Sequence, residues 1–281
     1  MEASPGVWVK FSTADQARTT DATYNIFGNT YTYDTSHDQK TQTVVVGADV
    51  LSGETSAGTR WVAGAMIGRV DSDLSFDASD TRIGFSGETY GAYATLVHGP
   101  AFVHGLIAAN QLDIDYDAPS LGDVTPGRVK SWGYQAELGY TLDWGQNGFF
   151  EPLAGIAQVN SEVSDLEVPG SSIKWDDQTS LRVNVGGRFG MTARYEGVDA
   201  RFTLTGRVWN EARARNEAMI DLGAGTSVST LDDFGGWFNE LQGGVNLTSR
   251  SSAWSAFVNA GTKWNDDLKV VEASAGIRYR W

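Results

Sequence analysis

The sequence predicts an all-β fold: a transmembrane antiparallel up-and-down β-barrel of twelve strands, of the outer-membrane type. Three observations predict it. The last stretch, LKVVEASAGIRYRW at 268–281, alternates with period two. Val271, Ala273, Ala275, Ile277, Tyr279 and Trp281 share one face; Glu272, Ser274, Gly276, Arg278 and Arg280 share the other. A helix would instead repeat its apolar stripe every three or four residues. A closing indole also suits the boundary between hydrocarbon and water. Second, alternating segments recur along the whole chain. Third, the joins between them differ systematically in length.

Strands are expected at 6–16, 40–51, 59–72, 84–97, 101–115, 129–144, 148–162, 178–195, 198–213, 237–249, 252–264 and 268–281. The joins after even-numbered strands are mostly tight and turn-like: His98-Gly99-Pro100, Gly145-Gln146-Asn147, Glu196-Gly197 and Arg250-Ser251. Those after odd strands are mostly long and polar, at 17–39, 116–128, 163–177 and 214–236, with short exceptions after the third and eleventh. Turns on one rim and loops on the other place the turns in the periplasm and the loops outside. An even strand count leaves both termini on the periplasmic side.

The sixth strand has the clearest alternation. Trp132, Tyr134, Ala136, Leu138, Tyr140, Leu142 and Trp144 form one face, and Ser131, Gly133, Gln135, Glu137, Gly139, Thr141 and Asp143 the other. Trp132, Tyr134, Tyr140 and Trp144 stand at the two ends of the apolar face, where aromatic girdles meet the membrane interfaces. In the eighth strand Leu181, Val183, Val185, Phe189 and Met191 point outward, with Arg182, Asn184, Arg188 and Arg194 inward. The tenth sets Leu241, Val245 and Leu247 against Glu240, Gln242 and Asn246. Strands three, four, five and seven alternate less cleanly: His104 and Asn110 share a face with Leu106 and Leu112. A soluble β-sandwich alternates too. Against it stand strand lengths of twelve or more where soluble strands run to about five or six, aromatics at strand ends, and both Arg and Glu on the polar face.

Composition agrees. The chain has 281 residues and 41% hydrophobic content, with a mean hydropathy of −0.27. No run approaches the roughly 18 apolar residues of a membrane helix, but alternating strands dilute their lipid-facing residues with polar ones. Gly 33, Trp 10, Tyr 10 and Pro 6 make it rich in glycine and interfacial aromatics and poor in proline. A net charge of −14 argues against a nucleic-acid partner. With Cys 0, disulfides and thiolate metal sites are excluded. The opening MEASPGVWV lacks a basic region followed by an apolar core, so it reads as a mature portion without a signal peptide. Residues 1–5 are expected to be a residual N-terminal segment and 6–281 the barrel domain.

Seven segments resemble, in order, the C-terminal translocator domain of bacterial autotransporters (type V secretion). They are GVWVKFS at 6–12, VVVGADVL at 44–51, YGAYATLVHGPAFVHGLI at 90–107, SWGYQAELGYTL at 131–142, GFFEPLAGIAQV at 148–159, SLRVNVGGRFG at 180–190 and SAGIRYRW at 274–281. The last is similar to an outer-membrane assembly signal, with a polar Ser274, Gly276 two residues on, then Tyr279 and Trp281. The resemblance implies a protein of the bacterial outer membrane that anchors and exports a covalently linked passenger. Outer-membrane lipid and the barrel-assembly machinery are its other expected partners, and a monomer is expected. It also implies a pore helix ahead of the first strand, joined to the passenger; here only MEASP precedes Gly6. Lys10, Glu137, Glu151, Arg182, Arg188, Arg201, Arg207, Glu240, Glu272, Arg278 and Arg280 are the expected lumen-facing polar residues, acting first as an ion-pair network that fills and stiffens the barrel. Gly133, Gly139, Gly186 and Gly276 fit strand bending.

Two other readings are weaker. A twelve-stranded porin or small-solute channel would share the pattern. An outer-membrane hydrolase would need His37 beside loop carboxylates, yet Asp34 and Asp38 are only its sequence neighbours. No Gly-x-Ser-x-Gly motif occurs. VDSDLSFDASD at 70–80 lacks the glycine and terminal Glu of a calcium loop. No catalytic residue, metal or cofactor is expected.

Overall fold

Twelve strands pair in chain order and close on themselves in the computed structural model, which describes residues 5–26, 29–119, 125–168, 171–221, 227–233 and 235–281. They are β1 (Gly6–Arg18), β2 (His37–Glu54), β3 (Thr59–Phe76), β4 (Arg82–His98), β5 (Ala101–Asp117), β6 (Gly127–Tyr140, resumed at Leu142–Trp144), β7 (Gly148–Val163), β8 (Gln178–Tyr195), β9 (Val198–Asp221), β10 (Gly236–Ser249), β11 (Trp254–Trp264) and β12 (Leu268–Arg280). Every pairing is antiparallel. The closing seam runs from Gly6 opposite Arg280 to Arg18 opposite Leu268. Closure satisfies the backbone internally and leaves no ladder edge facing lipid, which is what permits a sheet to cross a membrane.

Period-two alternation then sorts the side chains into an oily outside and a polar inside. Val44, Val46, Ile107, Leu138, Val185, Phe189, Leu204 and Val258 are exposed on the outer wall. Asp49, Thr89, Glu151, Asn184, Thr205 and Glu240 are buried on the inner one. In β5 the mixed pattern resolves with Val103 and Ile107 outward and exposed, which leaves Leu106 and Leu112 inside with His104 and Asn110.

The turn rim is built on left-handed glycines. Gly58, Gly99, Gly145 and Gly197 have φ of 77°, 55°, 64° and 77°, a region that other L-residues enter at a cost. The loop rim differs from expectation. The segments 17–39 and 163–177, expected as loops, hold short ladders: Asp21–Ile26 with Asn29–Asp34, and Leu166–Val168 with Ser171–Trp175. Strand β9, expected to end at 213, continues to Asp221 and pairs there with Ser227–Asp233. Above the apolar band a strand needs no oily face, so the backbone ladder continues after its sequence signature stops. Within the expected loops 116–128 and 214–236, residues 120–124, 222–226 and 234 lie outside the described residues.

Strand β6 is interrupted at Thr141, opposite Glu151-Pro152 of β7. Pro152 has no N–H to donate, so the ladder loses a bond there. The Thr141 hydroxyl donates to Glu151 Oε1 across the gap at 2.9 Å.

Inside, five aromatic side chains lie across directly opposed glycines: Trp8 on Gly47, Tyr93 on Gly64, Phe102 on Gly139, Phe149 on Gly190 and Phe257 on Gly276. A Cβ at Gly47 would stand 2.3 Å from Trp8 Cζ2, and one at Gly276 2.6 Å from Phe257 Cε1. These glycines seat the rings that narrow the lumen, a specific role beyond the strand bending expected for Gly139 and Gly276.

Candidate functional site: the lumen wall

Inward-facing positions of β6 to β10 bring three arginines and three glutamates into one continuous chain. Arg201 donates to Glu151 Oε1 at 3.2 Å, and Arg188 to Glu151 Oε2 at 2.9 Å. Arg188 also reaches Glu137 Oε1 at 3.3 Å; Arg207 takes Glu137 Oε2 at 2.5 Å and Glu240 Oε1 at 2.7 Å. Trp209 Nε1 ends the chain on Glu240 Oε2 at 2.6 Å. Glu151 and Glu240 are almost wholly buried. A carboxylate so desolvated is tolerable only when its lone pairs are met by charge-assisted donors, and both oxygens of each of the three glutamates are met. Three positive and three negative groups leave this wall electrically balanced.

Aromatic surface backs the arginines. Arg201 stacks 3.9 Å from the Phe149 ring centroid. Trp209 and Phe238 stack at 5.9 Å with 4° between planes, and Arg182 lies 5.8 Å over Phe238. Arg182 meanwhile donates to Glu211 Oε2 at 2.9 Å, and Ser180 to Glu211 Oε1 at 2.5 Å.

The facing wall, around the closing seam, carries a second relay. Trp8 Nε1 donates to Tyr93 Oη at 2.7 Å, Tyr93 Oη donates to Asp49 Oδ1 at 2.7 Å, and Arg278 lies 2.6 Å from Asp49 Oδ2. One relay thereby ties β1, β4, β2 and β12. Toward the loop rim Glu272 pairs with Lys263 at 2.9 Å, and Lys10 shares a cavity of about 210 Å³ with Glu272 and Ser274. Between the walls lies a cavity of about 1110 Å³ that Arg280, Arg278, Arg201, Arg188, Glu137 and Glu151 help to line. Hydroxyls and amides from Thr203, Thr205, Gln242 and Asn246 fill out its surface. Such a lining offers hydrogen bonds to any polar chain without committing to one.

The structure thus brings Glu137, Glu151, Arg188, Arg201, Arg207 and Glu240 together, holds Arg182 next to them, and sets Lys10, Glu272, Arg278 and Arg280 on the opposite side. Sequence reasoning missed Trp8, Asp49, Tyr93, Trp209 and Glu211. The signal for Asp49 was available: it follows Val45 and Gly47 on the inner face of β2. Outside, Trp132, Tyr134, Tyr140 and Trp144 are exposed. Tyr279 packs on Trp254 with 4.9 Å between ring centroids, and the Trp281 N–H donates to the Pro5 carbonyl at 3.2 Å. Ser274 Oγ accepts a long bond from Asn259 at 3.5 Å.

His104 Nδ1 lies 2.8 Å from Thr95 Oγ1, His98 Nδ1 2.9 Å from Thr59 Oγ1, and His37 Nδ1 3.1 Å from the Thr35 carbonyl oxygen. Among the described residues no group of three or more His, Asp or Glu is placed to hold a metal.

A family model described as the autotransporter beta-domain matches residues 16–261. The fold is similar to the beta domain of the Bordetella autotransporter BrkA, with a TM-score of 0.75 at 17% identity, covering 99% of this chain and 100% of that one. It is similar to the transport unit of the autotransporter AIDA-I from Escherichia coli, with a TM-score of 0.76 at 11% identity, covering 98% of this chain and 90% of that one. An outer membrane channel from Pseudomonas putida matches less well, at a TM-score of 0.52 and 14% identity over 99% of this chain and 95% of that one. None of the curated protein sequences matches.

Proposed function

Since the chain belongs to the autotransporter β-domain family, we propose that its barrel anchors an upstream passenger in the outer membrane and serves as the pore for its export. The observation that carries this reading is the family match over 16–261; the balanced Arg–Glu wall supports it. A wall whose Arg and Glu charges are already paired presents hydroxyls, amides and neutral ion pairs to a passing chain, so that side of the lumen holds no segment strongly enough to stall it. The eleven polar residues from Lys10 to Arg280 act mainly by keeping that lumen polar and the barrel stiff, and no catalytic role is assigned to them.

In this reading residues 6–281 work as one barrel domain and as a monomer. Ser274, Gly276, Tyr279 and Trp281 are read by the barrel-assembly machinery, while Trp132, Tyr134, Tyr140 and Trp144 anchor the wall at the two interfaces. The test joins a reporter passenger through a helical linker upstream of Gly6 and follows it in a Gram-negative host. Surface exposure of the reporter to added protease, with the barrel folded in the outer membrane, is the expected result. A folded barrel whose reporter stays periplasmic overturns the proposal.

A further inference from the structure

The outer wall of β12, β1, β2, β3 and β4 carries a feature that export does not explain. Two grooves lie one above the other along these strands. The lower, of about 660 Å³, lies within the apolar band and is framed by Val9, Val46, Ala48, Ala65, Ile67 and Ile277. Ala48 and Ala65 are the small residues that make it concave. The upper groove, of about 610 Å³, lies just past the band toward the loop rim. It is lined by Lys40, Arg82 and Lys269 together with Asp15, Asp38 and Asp73. All six are exposed. None of them has an ion-pair partner among the described residues, although Lys40 stands directly opposite both Asp15 and Asp73 in the ladder. Val271 lines the upper groove, and the exposed Phe11 and Val44 lie along the wall between the two, beside the exposed Arg69–Asp71 pair of β3.

From this arrangement we infer a binding site for a phosphorylated glycolipid of the outer leaflet. The three cations match phosphate oxygens, which a lysine or arginine binds through charge-assisted donors. The three carboxylates can only accept hydrogen bonds, so they match the hydroxyls of the sugar that bears the phosphates. A bare phosphate, which brings no sugar hydroxyls, would leave the three carboxylates without donors from the ligand. The acyl chains continue into the lower groove: Lys40 and Val46 are six residues apart, about 20 Å at the rise of a strand, a span that ordinary acyl chains cover. The wall already faces lipid, so the site is continuous with the membrane interface.

Native mass spectrometry of the refolded full chain in detergent tests this, with diphosphorylated lipid A as the probe. One bound lipid A is expected to survive, held more tightly than phosphatidylglycerol or dephosphorylated lipid A. Replacing Lys40, Arg82 and Lys269 together by alanine is expected to weaken binding roughly tenfold, the sum of three exposed ionic contacts. Ala65→Phe, which fills the lower groove, is expected to weaken it comparably. Heat-modifiable migration on gels verifies that both variants are folded. Equal retention of phosphatidylglycerol overturns the inference, as does binding by either folded variant within twofold of the parent. Displacement of lipid A by millimolar inorganic phosphate also overturns it, because the groove would then recognise phosphate alone.

Discussion

Arg207 of β9 and Glu137 of β6 meet at 2.5 Å across two intervening strands. The pair is a chord of the barrel rather than a rung of its ladder. Because Arg207 also holds Glu240, its removal leaves Glu240 with the Trp209 N–H and no cation, and Glu137 with Arg188 alone. Arg207→Ala is expected to cost about 3 kcal/mol, the low end for breaking a buried pair since the lumen admits water. Urea unfolding of the refolded protein in detergent measures it. Changing both Arg207 and Glu240 to methionine should cost less than the single change, because no unpaired charge then remains at that end.

Trp8 lies across Gly47 where a Cβ would stand 2.3 Å from its indole. Gly47→Val must push the ring from its place or distort β2, at about 1–3 kcal/mol. Combining it with Trp8→Leu should recover part of the loss, since the smaller side chain vacates the contested space. Unfolding midpoints of the single and double variants decide it. A double variant no more stable than Gly47→Val would show that the clash is with backbone alone.

Tyr93 passes a hydrogen bond from Trp8 to Asp49, and Asp49 in turn holds Arg278 on the far side of the seam. Tyr93→Phe keeps the ring on Gly64 and removes only the hydroxyl. A half-buried donor and a buried acceptor each lose a partner, at roughly 1–3 kcal/mol. The loss should be local: amide exchange along β1 and β12 is expected to speed up more than along β6 and β7. Uniform acceleration would mean that the relay does not hold the seam.

Asp34, in the short ladder above β1 and β2, accepts the Ser36 N–H at 2.9 Å. Hydrogen bonds from Ser36, first of its side chain and then of its backbone, hold the Asp34 carboxyl below the usual carboxylate range. A depressed folded-state pKa means that the contact contributes above the unfolded-state value, about 3.9, and is lost as pH falls through the lower folded value. Amide exchange at Ser36 should therefore rise below about pH 4, while barrel amides stay protected. Asp34→Asn should flatten that dependence.

These outcomes track what the sequence could and could not disclose. Alternation located all twelve strands because lipid and lumen impose opposite demands on successive residues, and β6 displays them with little interference. The same signal fell silent above the membrane, where β9 continues to Asp221 through ARARNEAMID with no oily face to announce it. Within the lumen wall, the charged members were visible as polar residues on inner faces. Their partners were not, because Arg207 and Glu137 are 70 residues apart and their meeting depends on barrel curvature. Aromatic–glycine pairing was equally hidden: Phe257 and Gly276 are unremarkable until register sets them opposite each other.

Trp281 separates anchoring from assembly. The residue is 64% exposed, and its bond to the Pro5 carbonyl comes from the backbone N–H, so little of the folded barrel rests on the indole. Trp281→Ala should change the stability of refolded protein in detergent by no more than about 0.5 kcal/mol, as expected for an exposed site. If Ser274, Gly276, Tyr279 and Trp281 are what the assembly machinery reads, the same substitution should lower the amount of barrel in the outer membrane several-fold. The two measurements answer different questions, since refolding into detergent bypasses the machinery. A variant that loses stability and assembly in proportion would show that the indole serves only as an interfacial anchor. One that assembles normally would place the signal elsewhere in β12.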